Sequence, residues 1–296
     1  MANKLSHYLD SFNSDLKIDS AVKESVAGEI YTHLEDKSQE LKEKGLSEEE
    51  ANNIATESFG SPQLIARQIY EVHSQGTCQE AFFAALPHLL VALLFALYYW
   101  QSIVGLLSIL ITVTGVVVYG WYHNKPIWFF PWLGYYLLPV IVTGILLICL
   151  PQGWVWLATL AYIPLALFAI IYILRETASR DWLYVSLMLT PLPVVFSWLF
   201  ALGTRNEFLV SNISLAKLQV HIPWIVVSFL VLAVATFIFT RVRQRWCKTA
   251  ALLIPPSVIL ILVTVANRGS VNFWGWLILS FSLFALASPA WLQARS

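Results

Sequence analysis

Apolar residues fill the chain almost without interruption from Ala81 to about Leu292, whereas the first 80 residues alternate apolar and polar positions at helical spacing. A helix needs about 20 apolar residues to cross the ~30 Å hydrocarbon layer of a membrane. The pattern therefore predicts an all-α protein with a small cytosolic helical domain, 1–76, a polar linker, 77–80, and a transmembrane helical bundle, 81–296.

Eight membrane-spanning helices are predicted in the apolar part. Their expected limits are about 81–100, 102–122, 128–149, 153–174, 182–202, 222–240, 249–266 and 272–291. One long polar interruption, Gly203–His221, separates the fifth span from the sixth. All 13 tryptophans lie in this part, and most fall near a predicted span end, where indole is stable at the level of the lipid headgroups.

Four helices are predicted in the first 76 residues, each with an apolar stripe at helical spacing. The positions expected to be buried are Leu5, Tyr8, Leu9, Phe12, Val22, Val26, Ile30, Leu34, Ala51, Ile54, Ala55, Phe59, Leu64, Ile65, Ile69 and Val72. Ser47 and Glu50 have the spacing of a capping box. Gly45 and Gly60 are expected to end helices, and Pro62 to begin one.

The same segment carries a recognisable motif, which reads EIxxHL, then GLSEEEA, then FGSPxxIA. Its signature positions are Glu29, Ile30, His33, Leu34, Gly45, Ser47, Glu50, Ala51, Ala55, Phe59, Gly60, Pro62, Ile65 and Ala66. Over about residues 5–73 the chain resembles the HAAS, or permease-prefix, domain family of bacterial and archaeal membrane proteins. The resemblance implies a regulatory or protein-binding role, often beside a PadR-type transcriptional regulator, and it brings no catalytic residue.

Charge divides the chain in the same place as hydropathy. Residues 1–80 carry a net charge of −8 and residues 81–296 carry +8, so the whole chain is neutral. The acidic balance argues against direct nucleic-acid binding by the first domain, since contacts to phosphate require Lys and Arg. His33 has no second ligand three or four residues away, which favours a packed or capped histidine over a metal or pH-sensing role.

The charges also predict an orientation in the plasma membrane. The first residues lack the apolar core of a signal peptide, so we expect a cytosolic N-terminus. With eight spans, the internal loops and tail would hold eight Lys and Arg residues and the external loops three, so the C-terminus is also expected in the cytosol.

The densest basic group is Arg241, Arg243, Arg245 and Lys248, interpreted as a cytosolic loop that anchors topology. Docking of the acidic domain and contact with lipid headgroups are the alternatives.

Prolines recur at one place in the outward-running spans. Pro87, Pro139 and Pro191 are 52 residues apart, and Pro255 has the like position in the seventh span. Four parallel copies of a helical hairpin would produce this spacing, and chance is the alternative. Each proline frees a backbone carbonyl that needs a neighbouring donor or a water molecule.

His88 lies beside the first proline. We expect it to be neutral and hydrogen bonded, and this is favoured over a role as a ligand of haem or metal.

The sequence offers no catalytic constellation. The span interiors lack Asp, Glu, Lys and Arg, which lowers the case for proton- or sodium-coupled transport. No phosphate-binding loop or protease motif occurs. The three cysteines lack any paired spacing, so reduced thiols are expected and no cofactor is predicted.

The favoured function is non-enzymatic: a membrane-anchored regulatory or signalling component, with membrane lipid and a cytosolic protein such as a PadR-type regulator as partners. The alternative is a permease, or permease subunit, for an apolar or lipid-like substrate.

Overall fold

The computed structural model describes residues 4–16, 18, 20–73, 75–123, 125–149, 155–202 and 215–266. Within these ranges every regular element is a helix, which confirms the all-α class. The chain divides into two compact units, Met1–Gln75 and Gly76–Ser296, called unit 1 and unit 2 below. The eighth predicted span, 272–291, lies outside the described residues, and the span count of eight stays a prediction.

Unit 1 contains four helices in its described part. They are α1 (Lys4–Asp15), α2 (Ser20–Glu43), α3 (Glu48–Phe59) and α4 (Pro62–His73). Helix α1 packs on α4, and α2 packs on α3. The buried apolar side chains are Leu5, Tyr8, Phe12, Leu16, Leu34, Leu41, Ala51, Ala55, Ala66 and Tyr70. This is a thin core, as expected for a helical unit of this size.

The helix ends in unit 1 follow the predicted local signals. The Ser47 hydroxyl accepts a hydrogen bond from the Glu50 backbone N–H at 3.3 Å, and the Glu50 carboxylate accepts one from the Ser47 N–H at 3.2 Å. Gly45 and Gly60 have positive φ angles of 93° and 88°, a region that costs glycine little. Pro62 is the first residue of α4. The capping box is therefore confirmed.

Parts of the predicted stripes were wrong in unit 1. Val22, Ile54, Leu64 and Val72 are exposed, and Leu9, Val26, Ile30, Phe59, Ile65 and Ile69 are only partly buried. Helices α3 and α4 bring small residues against their neighbours, with Ala51, Ala55 and Ala66 buried, so the larger side chains on the flanks remain outside. His33 is also exposed, so of the two expected roles, packed or capped, the packed one is wrong.

The capping box leads to a first prediction. Replacing Ser47 with alanine removes the acceptor for the Glu50 N–H and should destabilise the start of α3 by about 1 kcal/mol. Hydrogen exchange of the full-length protein measures this as faster exchange at residues 48–51. Replacing Ser58 with alanine is the control, since Ser58 donates only to the carbonyl of Ala55 within the last turn of α3. Equal exchange at residues 48–51 in wild type and S47A would contradict the prediction.

The same cap should respond to pH. Hydrogen bonds from the Ser47 side chain and backbone lower the pKa of Glu50 below its ordinary value of 4.5. A lowered pKa means that the carboxylate stabilises the fold above pH 4.5 and that this contribution is lost as pH falls through the lowered value. Protection at the start of α3 should therefore fall below about pH 4.5 in the wild type, and Glu50→Gln should remove that part of the pH dependence.

Unit 2 contains the apolar helices. In the described residues they are α5 (Cys78–Ala96), α6 (Ile103–Tyr122), α7 (Phe129–Cys149), α8 (Val155–Arg180), α9 (Trp182–Leu189), α10 (Pro191–Leu202), α11 (Leu215–Arg241) and α12 (Arg245–Ala266), with a 3-10 turn at Tyr99–Gln101. Six segments of the described residues are long and apolar enough to cross a membrane: Cys78–Ala96, Ile103–Tyr122, Trp156–Ala178, Trp182–Leu199, Leu218–Arg241 and Arg245–Ala266. A shorter apolar stretch, Phe129–Ile145, lies in α7. The chain is a multi-pass integral membrane protein.

Two helices, α7 and α11, make most of the packing contacts in the described part of unit 2. Helix α5 makes its most extensive contact with α11, and α12 packs along α11 as well. Helix α7 packs on α6, α8 and α9. The largest fully buried side chains in this unit are Trp132, Phe129, Phe130, Phe239, Lys248, Leu133, Leu137, Leu187 and Met188. Nearly all of these side chains are apolar. Lys248 is the exception, and it lies near the start of α12, at one end of the bundle.

Two predicted limits in unit 2 were wrong. Residues 77–80 are not a linker: Thr77 caps α5, and a second capping box joins it to Glu80. The first span ends at Ala96 and not at residue 100, because Tyr98 turns the chain with a φ of 59°. The fifth span keeps its predicted start at Trp182 and end at Leu202, but it consists of two helices that meet at Thr190, since Pro191 has no N–H to continue the hydrogen-bond ladder.

Candidate functional site

Polar and charged groups from four separate parts of unit 2 meet at one end of the bundle. Lys125 Nζ lies 2.6 Å from a carboxylate oxygen of Glu176, and Arg245 Nη2 lies 3.0 Å from Asp181 Oδ1. Arg241 Nη1 donates to the Gly76 carbonyl at 3.2 Å. This region is called the charged end, and it comprises Gly76, Lys125, Glu176, Asp181, Arg241, Arg245 and Lys248.

Asp181 links two helices at the charged end. It caps α9, and its Oδ1 accepts hydrogen bonds from the Leu183 N–H at 3.1 Å and from Arg245 at the start of α12 at 3.0 Å. Its side chain is buried, whereas that of Arg245 is one-third exposed. A carboxylate removed from water needs such partners, because an uncompensated buried charge is costly. The pair therefore holds the start of α12 against the start of α9.

Lys248 is completely buried one turn beyond Arg245. Its ammonium lies 5.3 Å from the centre of the Phe239 ring, within the range of a cation–π contact. The same phenylalanine packs edge-on against Tyr184 of α9. The charged end thus places two cations of α12 around a single buried carboxylate, Asp181, and adds an aromatic face.

The structure divides the predicted basic loop between the end of α11, a short loop and the start of α12. Only Val242–Gln244 is non-helical, since α12 already begins at Arg245. Arg241 ends α11, Arg243 is exposed on the loop, Arg245 pairs with Asp181, and Lys248 is buried. Lys248 was therefore wrongly placed in the cytosolic loop, since it lies in α12 and is buried. It is held inside because the turn that carries it packs against Phe239.

Sequence reasoning missed Asp181 and Gly76. Asp181 stands directly before an apolar run, which is the position of an N-cap residue, and that signal could have found it. Gly76 donates its N–H to the Thr240 carbonyl at 2.9 Å, and a Cβ at this position would lie 2.6 Å from Thr240 Cγ2. A side chain at this position would press against the Thr240 methyl group, a contact that no local pattern reveals.

His88 lies in the interior of unit 2 and is completely buried. Its Nδ1 is 2.8 Å from the Tyr135 hydroxyl of α7, and its Nε2 is 2.9 Å from the Thr236 hydroxyl of α11. A hydroxyl can donate or accept, so both nitrogens of a neutral imidazole are satisfied in either tautomer. His88 therefore ties α5 to two neighbours and has the hydrogen-bonded arrangement that the sequence favoured.

Removing the histidine tests this role. His88→Ala leaves the Tyr135 and Thr236 hydroxyls without their partner, at a cost of about 1–3 kcal/mol for each buried group that stays unsatisfied. Thermal unfolding in detergent micelles should show a clear drop in melting temperature. His123→Ala is the matched control, because His123 is exposed and should change stability by less than about 0.5 kcal/mol. Equal shifts for the two variants would contradict the prediction.

Two prolines free carbonyls that find donors inside unit 2. Pro87 leaves the Phe83 carbonyl without its helical N–H, and the Trp132 indole N–H of α7 donates to it at 2.9 Å. At Pro191 the Leu187 carbonyl accepts from the Thr190 hydroxyl at 2.7 Å. Pro139 and Pro255 lie inside α7 and α12. Pro191 instead begins a helix, and the four-hairpin repeat stays a hypothesis.

An apolar groove of about 420 Å³ runs between α11 and α12. Its described lining is Val227, Leu230, Val231, Val234, Ala235, Ile238, Trp246, Cys247, Ala250, Ala251, Ile254 and Pro255. The larger residues along its rim, such as Val234, Ile254 and Trp246, are exposed. The groove starts beside the Val242–Gln244 loop, because Ile238 and Trp246 on either side of that loop both line it.

The signature residues of unit 1 do not converge on one site. Leu34, Ala51 and Ala66 are buried in the core, whereas Glu29 and His33 are exposed on α2. In the part of the chain that the structure describes, no three His, Cys, Asp or Glu side chains form a group that could hold a metal ion. These positions therefore define helix packing and helix ends more than a pocket.

Comparison of this chain with protein-family models, curated proteins and solved structures finds no match. Its function is accordingly inferred from the residues and the geometry described above. Two features remain to be explained by a function: the exposed apolar side chains of unit 1 and the groove beside the charged end of unit 2.

Proposed function

We propose that this protein is a membrane-anchored regulatory or signalling component. Unit 1 binds a cytosolic protein, and unit 2 anchors it in the plasma membrane. The observation that carries the proposal is the combination of a compact, strongly acidic unit with exposed apolar side chains and a separate unit of apolar helices.

The binding surface is the outer face of α4. Leu64 and Val72 are 54% and 68% exposed, and exposed Gln68 lies between them. Spacings of four and eight residues place all three on one side of a helix. An amphipathic helix that presents such a stripe suits a hydrophobic groove or helix on a partner. Residues 1–75 carry a net charge of −7, which favours a partner whose surface around its hydrophobic groove is basic.

The resemblance of unit 1 to the HAAS domain family supports the same role. The family implies protein binding or regulation, and a PadR-type regulator is the partner that we propose. Leu34, Ala51, Gly60 and Ala66 of the signature then serve the fold, since they are buried or shape a helix end. The partner would meet the exposed face of α4, where the signature has few residues.

A cross-linked capture from native membranes tests the proposal. The full chain is compared with a version that lacks residues 1–75. The deletion stops at Gln75 because Gly76 bonds to Thr240 and Arg241 in unit 2. Recovery of a cytosolic regulator with the full chain alone is the expected result. Recovery of the same regulator with both versions would overturn the assignment of binding to unit 1.

A permease or permease subunit for an apolar or lipid-like substrate is the second candidate. The specific observation in its favour is the apolar groove between α11 and α12. A permease subunit predicts that a membrane-associated ATPase is captured equally by both versions. Capture of an ATPase without a regulator would favour this function over the first.

A further inference from the structure

We draw no further inference here: the strongest candidate, the apolar groove between α11 and α12, ends beside a loop whose arginines, Arg241, Arg243 and Arg245, all have partners within the chain, and nothing in the described residues shows what covers it.

Discussion

Replacing Asp181 with asparagine is expected to lower the free energy of unfolding by about 3–5 kcal/mol, the usual cost of breaking a buried ion pair. Asparagine caps a helix about as well as aspartate, so the hydrogen bond to the Leu183 N–H can persist and the change isolates the charge. The substitution removes the negative charge that pairs with Arg245 and that also attracts the ammonium of buried Lys248. Thermal or denaturant unfolding in micelles measures the effect.

Glu176→Gln is the matched control for that experiment. Glu176 pairs with Lys125 at 2.6 Å, but its side chain is 45% exposed, and pairs in contact with water contribute about 1 kcal/mol or less. The two variants remove the same chemical group at the same end of the bundle. If E176Q lowered the free energy of unfolding as much as D181N, burial of Asp181 would have no special consequence. The Asp181–Arg245 pair would then not be what holds α12 against α9.

Gly134→Ala is the second change with a large expected effect. Helix α7 approaches α9 so closely that a Cβ at Gly134 would lie 2.0 Å from the carbonyl oxygen of Met188. Backbone atoms cannot rotate away as a flexible side chain can, so the two helices must separate. Overpacking of this kind costs about 1–3 kcal/mol, and often more where the obstacle is backbone.

Gly115→Ala makes the same substitution in α6 where nothing lies within 4 Å of the new methyl group. Alanine favours a helix over glycine by about 0.5–1 kcal/mol, so this control should be neutral or slightly stabilising. Melting temperatures in micelles measure the difference, and G134A should melt below G115A. If G134A melted at or above the temperature of G115A, the close approach of α7 and α9 would be wrong.

Local sequence signals predicted local structure well. Ser47 with Glu50, Gly45, Gly60 and Pro62 mark helix ends that the structure contains, because caps depend on a few neighbouring residues. The apolar run of unit 2 predicted membrane-spanning helices for the same reason, since length and composition suffice. The error at residues 77–80 came from overlooking a second capping box, Thr77 with Glu80, which was present in the sequence.

Contacts between distant residues could not be predicted in this way. The partners of His88 are 47 and 148 positions away, and the partner of Asp181 is 64 positions away. Which face of an amphipathic helix is buried also depends on its neighbours, so Leu64 and Val72 were expected inside and lie outside. Charge alone likewise failed to separate exposed Arg243 from buried Lys248.

These exposed apolar residues connect the fold to the proposed function. Burying Leu64 and Val72 within unit 1 would have stabilised a small core, and the structure leaves both on the outer face of α4. Exposed leucine and valine side chains on one side of a helix provide apolar surface that a partner can bury. The bundle, by contrast, satisfies its buried polar groups internally at His88 and at the charged end.

The most direct test of the proposed function is quantitative capture of the partner by the full chain with Leu64→Glu and Val72→Glu combined. Val22→Glu is the matched control, since Val22 is an exposed apolar residue on α2. Hydrogen exchange at residues 48–51 verifies in each case that unit 1 remains folded. We predict that the α4 variant loses at least about nine-tenths of the captured regulator and that V22E retains it. Retention of the regulator by the α4 variant, with unit 1 folded, would contradict the account.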